Sequence, residues 1–270
     1  MSTPEAPPTP LPEDPEPSDR PERPERRRGR LPAAALAVLG VAALVGGATG
    51  LGLELTRTPT QSEIKAAGDR ELALRWRFLT AGEIFPATVR YGNGAEGKVV
   101  PGEKPKTARR VGIAPAEDCA KALDPAPAKL LVQHGCRTVL VATYVDDSLT
   151  QVATVGVAVM PGSAQTLAFI SALNGQGGPA SGQGTGLRAQ GFIGTPADRF
   201  LDSGRQEFGM RADLSFRYVI FMTAGWGDGR GRVAAAQVPP EFMFAHAVLE
   251  RLRTRFAEVD DPCGQEGVSC

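Results

Sequence analysis

The spacing of apolar positions divides the chain into regions of different periodicity. From Leu31 to Leu53 apolar residues run on without a charge. Further along, in "ELALRWRF", Leu72, Leu74, Trp76 and Phe78 alternate with Ala73, Arg75 and Arg77. A period of two predicts a strand. "CRTVLVATYV" and "TQVATVGVAVM" are β-branched runs separated by "DDSL", which predicts a hairpin with a slightly longer turn. "FRYVIFMTAGWGDGR" is the strongest strand pattern, ended by turn residues. Phe242, Ala245, Leu249, Leu252 and Phe256 then recur at three- and four-residue intervals. They predict an amphipathic helix, opened by Pro239 and Pro240 and packed on the sheet.

The intervening segments complete the order. "APAEDCAKALDPAPAKLLVQHG" reads as two short helices broken at Asp124-Pro125. "PGSAQTLAFISALNG" reads as a short helix with Ser163 as N-cap and Gly175 as stop. "RYGNGAEGKVVPGEKPKTARR" reads as a loop, "NGQGGPASGQGTG" as a flexible loop and "GLRAQGFIG" as a short strand. Hairpins rather than βαβ crossovers imply an α+β domain: a single, mostly antiparallel sheet with helices packed against it. Residues 71–270 are enough for one such domain with its own core.

The uncharged run decides the topology. It has about 23 residues, roughly 34 Å of helix, enough for a hydrocarbon core of about 30 Å. Residues 1–30, "MSTPEAPPTPLPEDPEPSDRPERPERRRGR", are rich in proline and charge and nearly devoid of apolar side chains. Such a segment cannot bury enough surface to offset the entropy of ordering, so it reads as a disordered tail. A tail of that length before so long a run favours a retained transmembrane helix over 31–53 rather than a cleaved signal peptide. Arg26, Arg27, Arg28 and Arg30 precede the run, whereas the charges after it are sparse and mixed. The positive-inside rule therefore places the N-terminus in the cytoplasm. A polar stalk over 54–70 would lead to an extracytoplasmic domain. Gly46 and Gly50 form a GxxxG pattern that would allow homodimerisation through the membrane.

The cysteines agree with that topology. Cys119, Cys136, Cys263 and Cys270 all lie beyond the span, and an oxidising compartment favours disulfides. Of the three connectivities, Cys119–Cys136 with Cys263–Cys270 is the simplest. The spacings are not those of a zinc site, and His134 and His246 are the only histidines.

Composition then narrows the chemistry. Thirty basic residues balance thirty acidic ones, which argues against nucleic acid as a partner. No GxSxG, SxxK or HExxH motif is present, and the glycine-rich loop lacks the setting of a phosphate cradle. No catalytic, cofactor-binding or metal-ligating residue is therefore assigned. Asp146, Asp147 and Asp228 read as turn residues, and Trp226 as a residue at the rim of the core. The stretch "GIAPAEDCAKALDPAPAKLLVQHGCRTVLVATYVD" resembles a block in uncharacterised single-pass membrane proteins of actinomycetes. The resemblance covers about residues 30–225 and carries no activity with it. It implies a membrane anchor and an extracytoplasmic disulfide-bonded domain. The expected function is a non-catalytic binding, sensory or accessory module of the cell envelope, with an unknown envelope protein or ligand as partner. An envelope enzyme with a site assembled from distant residues is the alternative, as is a structural assembly protein.

Overall fold

The computed structural model describes residues 58–175, 186–212, 217–233 and 242–257, together with Ala43 and Cys263. In chain order these form α1 (Gln61–Phe78), α2 (Ala81–Ile84), β1 (Thr88–Tyr91), β2 (Lys106–Ile113), α3 (Cys119–Ala122) and α4 (Pro125–Gln133). There follow β3 (Thr138–Val145), β4 (Gln151–Val159), α5 (Ser163–Gly175), β5 (Arg205–Ala212), β6 (Tyr218–Trp226) and α6 (Met243–Ala257). The tail over 1–30, the cysteine pair Cys263–Cys270, the glycine-rich loop and the two prolines before α6 fall wholly or partly outside the described residues. So does the span over 31–53, apart from Ala43. Among the described residues no helix is long and apolar enough to cross a membrane.

The six strands form one sheet in the order β1-β2-β3-β4-β6-β5, and every neighbouring pair is antiparallel. The hairpin of β3 and β4 pairs Val141 with Gly156 and runs without a break in register. Strand β6 lies against β4 over its whole length, and β5 forms the edge beyond it. Alternation along the central strands sends apolar side chains to both faces. Val155, Val157, Ile220 and Met222 point into one core, and Val139, Val141, Val219 and Phe221 into the other.

Helix α6 fills the first face. Phe244, Val248, Leu249, Leu252 and Phe256 are all buried there. The helix touches β1 and β5, the two edge strands, as well as β2, β4 and β6. The sheet is therefore curled around it, with both edges brought to one helix. Helices α3, α4 and α5 cover the second face, where Leu131, Phe169 and Leu187 are buried. The domain is thus an α+β fold with helices on both faces of an antiparallel sheet.

The first alternating segment is not a strand. Residues 61–78 are helical, started by a capping box in which the Thr60 side chain accepts from the Glu63 N–H and the Glu63 carboxylate accepts from the Thr60 N–H. The same residues satisfy a helical spacing. Leu72 and Trp76 are four apart and face the core, while Phe78 is 66% exposed. Arg75 also pairs with Glu71, one turn back, at 2.6 Å. The Tyr218 hydroxyl, pushed up to about 12 by burial, donates to the Leu72 carbonyl and ties the helix to the sheet. The strand expected at "GLRAQGFIG" is reduced to a single bridge, Leu187 with Leu123. Strands β1 and β2 overlap the two ends of the segment read as a loop, 90–110, and β5 carried no strand pattern. The hairpin, the helix break at Asp124-Pro125, α5, β6 and α6 stand where the apolar pattern placed them.

Candidate functional site

Cys119 and Cys136 are disulfide-bonded, with their Cα atoms 6.2 Å apart. The bond joins the start of α3 to the residue just past the end of α4. Helix α4 ends on a Schellman-type turn. Gly135 has φ of 77°, its N–H donates to Val132 O at 3.0 Å, and the Cys136 N–H donates to Leu131 O at 3.0 Å. His134 is the C-cap of that helix, so its position is explained by the turn. Cys263 carries no free thiol, and the pairing expected with Cys270 lies outside the described residues.

The carboxylates singled out by the sequence divide by role. Asp146 accepts from the Thr150 N–H at 2.9 Å, the Gln151 N–H at 2.8 Å and the Ser148 N–H at 3.2 Å. It closes the β3–β4 turn with all its capacity engaged. Asp228 pairs with Arg230 in the turn after β6. Trp226 packs edge-on against Phe242 with ring centroids 5.4 Å apart, at the rim of the core.

Two acid–base constellations escaped the sequence reading. In the first, Arg205 and Asp124 form a bidentate pair, both bonds 2.9 Å long. Arg205 also donates to Leu187 O and Asp202 O, and the Gly186 N–H donates to Asp124. Every oxygen of this buried carboxylate is satisfied, which marks a structural clamp. In the second, His246 Nε2 is hydrogen-bonded to Glu207 Oε1 across from α6 to β5. Glu207 Oε2 accepts from the Phe242 N–H at 3.1 Å, at the amino end of α6. Burial pushes the Glu207 carboxyl up, but the bonds from His246 and Phe242 outweigh it and hold it below its ordinary value. A strand-borne anion thus caps the helix that fills the core.

A groove of about 810 Å3 lies between the outer edge of β1, the turn after it and α6. Thr88, Arg90, Lys98 and Val99 form one side, and Ala247, Glu250, Arg251 and Thr254 the other. The turn is drawn tight by Gly92 N–H to Gly97 O at 2.9 Å and Gly94 N–H to Lys98 O at 2.9 Å. It is seated on α6 at Gly97, where φ is 73° and an added Cβ would lie 2.3 Å from Met243 O. The acids in the groove are engaged: Glu96 with Arg211 at 3.3 Å and Glu250 with Arg253 at 2.6 Å. Arg90 and Arg251 form no ion pair among the described residues, so the unbalanced charge is positive. Arg251 also borders a smaller hollow of about 180 Å3 that includes Glu83.

The described residues gather no set of three His, Cys, Asp or Glu side chains able to hold a metal. No protein family, curated protein or solved structure matches the chain.

Proposed function

We propose that the chain is a membrane-anchored binding module of the cell envelope, displayed outside the membrane, with the β1–α6 groove as the seat of its ligand. The observation that carries this reading is the groove itself: an open concavity beside a sheet edge, bearing two arginines that form no ion pair among the described residues. The Cys119–Cys136 bond supports an oxidising compartment. The uncharged run over 31–53 supports the anchor.

An enzymatic reading has one observation in its favour, the hydrogen bond between His246 and Glu207. A carboxylate that orients a histidine is a recurrent catalytic arrangement. Here the same carboxylate caps α6, and neither residue lines the groove. Binding is therefore the better account.

Whole-cell labelling tests the placement. A membrane-impermeant maleimide should modify the cysteines of intact cells only after reduction. Labelling confined to broken cells, without reductant, would put the domain inside. A photo-crosslinking side chain at Thr88, compared with one at exposed Val132 on α4, tests the seat. Adducts unique to Thr88 are expected, and identical products from both positions would remove the groove from consideration.

A further inference from the structure

We infer that the groove takes an extended acidic segment of a partner protein, added as a seventh strand on the free edge of β1; the inference rests on the reading of the groove as the ligand seat. The backbone carries the first half of the argument. Among the described residues strand β1 pairs only with β2, matching Val89 with Ala108 and Tyr91 with Lys106. The Arg110 N–H donates to Ala87 O at 2.9 Å, which sets the alternation of the ladder. Residues 87, 89 and 91 bond inward, so the N–H and C=O of Thr88 and Arg90 point outward. Both residues are exposed, both line the groove, and among the described residues no backbone bond beyond β2 engages them. Two donors and two acceptors in extended array recognise another extended backbone.

Charge carries the second half. Arg90, Lys98 and Arg251 border the groove; Glu250 pairs with Arg253, and Glu96 with Arg211 and with Lys98 at 3.8 Å, which leaves Arg90 and Arg251 in no ion pair among the described residues. An acidic strand meets that field favourably, and exposed Val99 offers an apolar contact for an alternate side chain. A second copy of this chain fits worse. Antiparallel pairing of β1 with itself would bring two sets of Arg90, Lys98 and Arg251 into one cleft.

The test uses the full chain in detergent micelles and a fluorescein-labelled nonapeptide alternating glutamate with valine, read by anisotropy. The peptide should bind, more weakly at higher salt. Its lysine–valine counterpart and a version N-methylated on every backbone amide should not. Arg90→Glu combined with Arg251→Glu should weaken binding more than about tenfold, whereas Arg90→Lys with Arg251→Lys should retain most of it. Thermal unfolding of each variant checks that the fold is intact. Equal binding of the methylated peptide would overturn strand addition, and equal binding of the lysine peptide would overturn the charge argument. Absence of peptide binding with Thr88 adducts still forming in cells would sink the acidic strand and leave the module reading standing. Absence of both would sink both.

Discussion

Gly97 shows how one residue fixes the candidate site. Its left-handed backbone and the Met243 carbonyl, 2.3 Å from where a Cβ would sit, leave room for no other side chain. Gly97→Ala should lower stability by about 1–3 kcal/mol, measured by thermal or urea unfolding, because helix backbone cannot yield as a flexible side chain would. Glu207 is the second decisive residue. Its carboxyl is more acidic folded than unfolded. Its contribution is therefore fully present above the unfolded pKa and is lost as pH falls through the lower folded pKa. Glu207→Gln should cost on the order of 1 kcal/mol near neutral pH, with the gap between variant and wild type closing in acid. A melting-temperature series across pH reads the sign directly.

Elements were legible where one period dominated. The β3 and β6 runs are β-branched and aromatic, and they are strands buried on both faces. Helix α1 misled because "ELALRWRF" satisfies two periods at once. What decides between them is Thr60 and Glu63, two to three helical turns upstream, which start a helix that then runs through the alternation. Strand β5 was hidden because "RQEFGMRA" carries charge on an edge, where burial is partial. At its start, Arg205 reaches Asp124 at the break between α3 and α4. Arg205→Met would strand a buried carboxylate and should cost about 3–5 kcal/mol, whereas the double replacement Arg205→Met with Asp124→Leu should cost markedly less. Urea unfolding of the two variants makes the comparison.

At the scale of the whole molecule, fold class was readable and the candidate site was not. Alternating runs joined by short turns point to an antiparallel sheet whatever the pairing order. The groove unites residues 88–99 with residues 247–254, and no local spacing records that meeting. The same holds for Glu207 and His246, 39 positions apart on β5 and α6. The disulfide was legible because cysteines announce themselves. Cys119→Ala with Cys136→Ala should lower stability by about 3 kcal/mol, read in urea against the oxidised wild type, since the bond closes a separation of 17 residues.

The enclosure of α6 by both edge strands has a consequence for how the chain is made. Five strands and five α-helices emerge before β6, and α6 follows β6. Until residues 242–257 arrive, the concave face of the sheet lacks the helix that packs in one core with Val155, Ile220 and Met222. A chain delivered from its amino end therefore passes through a stage with a long greasy trough open to its surroundings. Its folding has to wait for α6, and a holdase would act in that interval.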